Sequence, residues 1–423
     1  MKTYVFPGQG SQSKGMGGEL FDRFPELTRK ADAILGYSIR TLCLDDPNDE
    51  LGKTQFTQPA LYVVNALSYF RKIETDGDRP DFLAGHSLGE FNALMAAGCF
   101  DFETGLKLVK KRGELMSKAS GGAMAAVINA RRDEIETILR ENGLDDIDIA
   151  NYNAPAQIVI SGLAERIAAA APLFSQGRVR FFPLNTSGAF HSRHMRASRD
   201  KFAKYLRKFR LEAPAIPVIS NVSARPYPDD DLQGLLAEQI AGMVRWSDSV
   251  QYLMAVAARE GASMDFEELG HGDVLKGLVA KIRQQTTAGE LDALVAELGG
   301  TRVPMQPAPS ESLPSELALS ASGSLQVAPT IGAGTTTAIE ASQVARPEAA
   351  PQAVATTGAG AGPGQKVSAW NASHPVGTRV RSTIADYDDL ETRTEAMLLF
   401  GHRAAVYMKG YHGYFDLDEV VAV

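Results

Sequence analysis

An apolar segment, Phe82-Leu83-Ala84, runs directly into Gly85-His86-Ser87-Leu88-Gly89 and then into the helix-patterned Glu90-Phe91-Asn92-Ala93-Leu94. A strand that reverses into a helix over so few residues needs glycine on both sides of the turn, because a side chain there would meet backbone. The segment therefore predicts an α/β unit with Ser87 presented at a tight strand-to-helix turn. The helix N-terminus and the Leu88 amide favour the negative charge that develops in acyl transfer. A glycine-rich turn that merely contains a serine would not explain the strand before it and the helix after it.

A serine hydroxyl becomes a nucleophile only beside a base. The histidines in this part of the chain are His86, His191, His194 and His271. The elbow turns His86 away from its neighbour Ser87. His191 follows Gly188-Ala189-Phe190 in a loop ahead of a helical segment, and such loops gather catalytic groups. Periodicity does not choose between His191 and His194, and it leaves His271 open.

Aromatic content divides the 423 residues, since none occurs between Phe266 and Trp370. Residues 299–373 are mostly Ala, Pro, Ser, Thr, Gly and Gln, which bury too little apolar surface to offset chain entropy, and they read as a flexible, disordered linker. Residues 287–298 carry apolar side chains at helical spacing and predict a short closing helix. Residues 374–423 recover aromatic and β-branched residues in four strand-like runs, with a hairpin turn at 410–413, and suggest a small SH3-like β module suited to docking. Within residues 1–286, the stretch 122–185 reads strand, helix, strand, strand, helix, strand. This is a ferredoxin-like subdomain inserted into an α/β-hydrolase-like core.

Two cysteines, Cys43 and Cys99, make no disulfide framework, and the opening residues reach Pro7-Gly8 before a signal-peptide core forms. A reducing cytoplasm is the expectation. No apolar run approaches the roughly 18 residues of a membrane span. A net charge of -8 argues against general nucleic-acid binding.

Eight blocks carry a specific resemblance: Phe6-Pro-Gly-Gln-Gly-Ser-Gln12, Thr57-Gln-Pro-Ala60, Gly85-His-Ser-Leu-Gly89, Lys111-Arg-Gly-Glu-Leu-Met116, Asn151-Tyr-Asn-Ala-Pro-Ala-Gln157, Gly188-Ala-Phe-His191, Val244-Arg-Trp246 and Gly270-His-Gly-Asp-Val-Leu-Lys-Gly-Leu278. In order and spacing the chain resembles the malonyl-CoA:acyl-carrier-protein acyltransferases. Among them it is most similar to the free-standing enzymes that serve polyketide synthases lacking their own acyltransferase domains. The resemblance implies that Ser87 carries the acyl group and that His191 is the base. It implies that the Arg245 carbonyl orients the imidazole and that the amides of Leu88 and Gln9 form the oxyanion hole. Arg112 would grip the malonyl carboxylate, with Gln58 behind it, and Phe190 would favour malonyl over branched acyl groups. Where the family commonly has proline, this chain has His271. No permanent cofactor or metal is implied; malonyl-CoA is the substrate, and the partner is a carrier protein with a phosphopantetheine arm on a separate polyketide synthase.

Residues 193–210 read as one amphipathic helix with a basic face, including Arg193, Arg196, Arg199 and Lys204, beside the candidate base. Acidic carrier proteins suit such a face. The rivals are a carrier-protein hydrolase of the same fold, for which Arg112 has no use, a scaffold with a vestigial site, and a simple esterase.

Overall fold

In the computed structural model, the described residues are 1–299 apart from 187 and 229, and 363–422 apart from 383–389, 400–402, 410–413 and 419. They divide between two compact units, Met1–Val327 and Ala328–Val423.

In the first unit, strand Lys2–Phe6 is flanked on both sides by parallel strands, and its side chains alternate between two cores. Tyr4 and Phe6 enter the larger core, whereas Val5 joins Phe82, Ala84 and Trp246 in a second core on the opposite face. The sheet runs Val218–Ile219, Phe82–Gly85, Lys2–Phe6, Asp265–Glu268, all parallel. Phe6 is in register with Gly85, so the Gly8-Gln9-Gly10 loop and Ser87 both emerge at the carboxyl end of adjacent central strands. Sites of open α/β sheets lie at that end.

Helices Thr54–Asp76 and Phe102–Met116 pack on the larger core. The second begins at Asp101, whose carboxylate accepts from the Thr104 amide at 2.7 Å, a cap worth about 1 kcal/mol. That helix carries Arg112 inward.

Between the elbow and the last helices lies a second, antiparallel sheet, ordered Asp148–Ala154, Gln157–Leu163, Gly122–Ile128, Arg180–Pro183. Helices Arg132–Glu141 and Ala164–Ala170 supply Ile135, Leu139 and Ile167 to its own core, with Val127, Ile158 and Phe174. The chain order is strand, helix, strand, strand, helix, strand. The last helical stretch tightens to a 3-10 turn at Ala171–Phe174, where Pro172 lacks the amide an α-helix would use. Tyr152 donates to the Val244 carbonyl at 2.9 Å, and Val244 donates to Ala150 at 2.8 Å, which fastens this sheet to the segment leading into helix Trp246–Arg259.

A helix spans Ala288–Glu297, within the 287–298 stretch that carries apolar residues at helical spacing, and starts with a Thr287/Glu290 capping box. The basic segment is not one helix over 193–210. A 3-10 turn, Arg193–Met195, precedes helix Arg196–Leu206, so Lys208 and Arg210 fall beyond the helix.

The linker reading for residues 300–362 lies outside the described residues. Its last part needs correction, because Pro363–Ser373 is a helix. Val367 and Trp370 pack on the second unit's core of Val380, Leu390, Val406 and Met408, which supplies the apolar burial that composition did not suggest. This unit has two three-stranded antiparallel sheets: Leu390–Glu391, Arg379–Ser382, Val420–Ala422, and Met397–Leu399, Arg403–Tyr407, Tyr414–Asp416. Among the described residues there are thus six strands where four runs are read from sequence, since two runs each break in the middle. The expected turn at 410–413 lies outside the described residues. No described helix is long and apolar enough to cross a membrane.

Candidate active site

The elbow is built from backbone strain and steric exclusion. Ser87 has φ +51°, in the left-handed region that non-glycine residues rarely occupy. A Cβ on Gly85 would lie 2.0 Å from the Gly89 backbone, and one on Gly89 would lie 2.0 Å from the Phe6 carbonyl oxygen. Only glycine permits the helix to turn back so closely against both strands. Asn221 locks the turn: its Oδ1 accepts from the Ser87 amide at 2.7 Å and its Nδ2 donates to the Gly85 carbonyl at 2.7 Å.

His191 also has a positive φ, +56°. Its Nε2 lies 2.8 Å from Ser87 Oγ, and its Nδ1 faces the carbonyl oxygens of Gln239 at 2.8 Å and Gly242 at 3.2 Å. Two carbonyls can only accept, so Nδ1 carries the hydrogen and Nε2 is free to take the serine proton. Burial, reinforced by the nearby Arg112 charge, lowers the His191 pKa to about 3. The imidazole is therefore neutral at physiological pH.

The expected orienting carbonyl, that of Arg245, is not the one used. Arg245 caps helix Trp246–Arg259, where its carbonyl accepts from the Ser249 amide and hydroxyl, each at 2.9 Å. The carbonyls at the imidazole come instead from the end of helix Leu232–Glu238 and the turn after it.

Arg112 is 1% exposed. Its Nη2 donates to Ser87 Oγ at 3.1 Å and to Gln239 Oε1 at 2.7 Å, and its Nη1 donates to Gln58 Oε1 at 2.8 Å. Its Nε–H is buried without a protein acceptor among the described residues. Burial lowers its pKa to about 10, which still leaves a cation at neutral pH. A buried fork whose charge is not met by a direct carboxylate is a receptor for an anion.

The amides of Leu88 and Gln9 donate to no protein acceptor among the described residues. Phe190 is buried in the same core as Leu88 and Met116. The other histidines have separate tasks. His86 bonds Asn153 Oδ1 at 2.8 Å, His271 bonds Ser13 Oγ at 2.7 Å, and His194 is exposed. No group of three His, Cys, Asp or Glu among the described residues stands close enough to hold a metal ion.

Beneath the elbow stand residues that the sequence reading does not single out. Glu90 accepts from the Asn221 amide at 2.9 Å, the Tyr227 hydroxyl at 2.6 Å and Gln239 Nε2 at 2.6 Å. Gln239 Nε2 also donates to the Ser87 carbonyl at 2.6 Å. The available signal is slight: a glutamate three residues after the nucleophile, on a helix that is otherwise almost all apolar.

A cleft of about 390 Å³ reaches His191, lined by Arg132, Asp148, Arg193, Arg196, Glu238 and Met243 among others. Of the four basic residues expected to dock a partner, Arg193 is held by Asp148 at 2.6 Å and Arg199 by Glu238 at 2.8 Å. Arg196 and Lys204 are exposed and form no ion pair among the described residues.

The acyl transferase domain family matches residues 3–262. Over 290 residues the chain is 55% identical to the polyketide biosynthesis malonyl CoA-acyl carrier protein transacylase PksC of Bacillus subtilis (strain 168), covering 68% of this chain and 99% of that protein. It is 36% identical over 299 residues to the malonyl CoA-acyl carrier protein transacylase of Escherichia coli (strain K12), covering 69% and 95% respectively. Among solved structures, that of malonyl CoA-acyl carrier protein transacylase from Burkholderia pseudomallei is 65% identical with a TM-score of 0.67, covering 68% of this chain and 99% of that one. A malonyl-transacylase solved in complex with its type II polyketide synthase acyl-carrier protein is 31% identical with a TM-score of 0.62, covering 70% and 99%.

Proposed function

The chain belongs to the acyl transferase domain family, and on that premise we propose that it moves a malonyl group from malonyl-CoA to the phosphopantetheine thiol of an acyl carrier protein, in trans for a polyketide synthase. The observation that carries the reading is the meeting of two groups on one hydroxyl: His191 Nε2 at 2.8 Å and Arg112 Nη2 at 3.1 Å from Ser87 Oγ. An esterase for neutral substrates needs the first and has no use for the second.

The reaction runs in two balanced halves. Ser87 Oγ attacks the thioester carbonyl carbon while its proton passes to His191 Nε2, and the Nδ1–H holds the Gln239 carbonyl throughout. The oxyanion is received by the Leu88 and Gln9 amides. Collapse breaks the C–S bond, and the imidazolium returns its proton to the departing sulfur, leaving malonyl-Ser87 and coenzyme A. The carrier thiol then gives its proton to His191, attacks the ester carbonyl and releases Ser87, which takes the proton back. Arg112, steadied by Gln58, pairs with the distal carboxylate, and Phe190 narrows the pocket against a branch at the α-carbon. No permanent cofactor is used.

We read the 122–185 unit as the ferredoxin-like insertion of an α/β-hydrolase-like core, a reading supported by its strand and helix order. The carrier docks at the mouth of the His191 cleft, with Arg196 and Lys204 as its principal cationic contacts. Free, buried Cys43 and Cys99 fit a reducing cytoplasm.

Incubation with malonyl-CoA should add one malonyl group to the intact mass, and Ser87→Ala should abolish it. Added carrier protein should take the group up. Release to water with none on the carrier would make the protein a hydrolase and overturn the reading.

A further inference from the structure

Glu90 is fully buried and bonds neither the reacting hydroxyl nor the imidazole, yet through Gln239 it stands one residue removed from Ser87, Arg112 and His191. Its Oε1 takes the Asn221 amide and the Tyr227 hydroxyl, and its Oε2 takes Gln239 Nε2. Gln239 then divides its carboxamide: Nε2 donates to Glu90 and to the Ser87 carbonyl, while Oε1 accepts from Arg112 Nη2 at 2.7 Å. The orientation of that carboxamide is determined by its neighbours. Were it to flip, its NH2 would face the Arg112 donor and its oxygen would face the Glu90 carboxylate and the Ser87 carbonyl, opposing three interactions at once.

We propose that Glu90 is a positioning residue for acyl-donor selectivity, aiming the Arg112 guanidinium through Gln239. The proposal rests on the malonyl-transfer reading above.

Three donors converge on Glu90, and an ionised carboxylate accepts all three. A glutamine at the same position has one oxygen and one NH2. It must leave either the Asn221 amide or Gln239 Nε2 facing a donor, so Glu90→Gln disturbs the chain of bonds while preserving side-chain volume. Burial pushes the Glu90 pKa up to about 7, against the pull of those donors and of Arg112, so the native fold holds this carboxyl against a desolvation cost. Arg112 in turn has only neutral oxygens as hydrogen-bond partners, and the direction of its fork depends on where Gln58 and Gln239 present them.

The test is the rate of Ser87 acylation by malonyl-CoA and by acetyl-CoA, read as intact mass on the full chain. Glu90→Gln and Gln239→Met, the latter retaining the carbonyl that orients His191, should each lower the malonyl-to-acetyl ratio about tenfold. The loss should fall on KM for malonyl-CoA, and for Glu90→Gln acetylation should stay within about threefold of wild type. Tyr227→Phe removes a donor to Glu90 but leaves the Glu90–Gln239–Arg112 chain, and it should hold the ratio within about threefold. Folded Glu90→Gln or Gln239→Met with an unchanged ratio overturns the proposal, as does an equal loss with both donors, which is what a purely structural role predicts. A wild-type chain that takes no malonyl overturns the transfer reading and this inference with it; a wild type that does, beside insensitive variants, overturns this inference alone.

Discussion

At the scale of single residues, charge and burial set the chemistry. Removal of Arg112 deletes a charge-assisted partner for the malonyl carboxylate, worth about 1.5–3 kcal/mol per hydrogen bond. Arg112→Ala should therefore lose malonyl acylation on the order of a hundredfold in kcat/KM and keep acetyl acylation, as measured by competition between the two donors. His191 leads to a pH prediction. Its pKa is about 3 rather than the ordinary 6.5 because the protonated form would be buried beside Arg112. The base thus stays neutral as pH falls, and Ser87 acylation by acetyl-CoA, which has no use for the Glu90–Gln239–Arg112 chain, should change less than about threefold between pH 8 and pH 5.5, where an ordinary histidine would lose about tenfold. The same depression means that the unfolded chain binds the extra proton first, so His191 makes the fold less stable as pH falls from about 6.5 toward about 3. Ser87 is legible in sequence because its constraint is local: strand, glycine, serine, glycine and helix all lie within a short window. The orienting carbonyl is not, because which carbonyl meets Nδ1 depends on where helix Leu232–Glu238 stops against a loop far away in sequence. Glu90 and Gln239 stay hidden for the same reason, since their polar partners come from four separate segments.

At the scale of elements, periodicity finds helices and strands better than their ends. The strand and helix order of the antiparallel sheet can be read from alternating Ile158, Ile160 and Val127, whereas its junction with Val244 is a tertiary pairing with no local signal. The basic segment shows what the missing ends cost. Ser192 starts a 3-10 turn by accepting from the His194 amide, so the α-helix begins only at Arg196. Arg193 and Arg199 then face Asp148 and Glu238 and are neutralised within the molecule. Arg196 and Lys204 lie about two helical turns apart and form no ion pair among the described residues. Reversing both to Glu should raise KM for carrier protein about tenfold and flatten its dependence on salt, because the attraction lost is the screened one. Self-acylation by malonyl-CoA should stay within about twofold. Unchanged carrier kinetics at low salt would move the dock elsewhere.

At the scale of the whole molecule, each compact unit supplies its own apolar interior. The first unit contains three clusters, two on opposite faces of the parallel sheet and one inside the antiparallel sheet. The second has a separate cluster around Val406 and Met408. Every residue assigned a part in acyl transfer, from Gln9 to Gly242, belongs to the first unit. Its last described helix contributes at the margin: Ala288–Glu297 has no buried residue, but Arg131 pairs with Glu290 at 2.9 Å and Leu298 packs against the Trp246 cluster. A chain cut after Gly299 should therefore fold, show a urea midpoint for this unit equal to that of the full protein, and form malonyl-Ser87 within about threefold of the full rate. A chain cut after Thr286 loses the capping box and the Leu298 contact, and its stability should drop by roughly 1–3 kcal/mol while acylation persists. If the chain ending at Gly299 is insoluble or fails to acylate, the second unit is part of the catalytic fold and the independence of the two interiors is refuted.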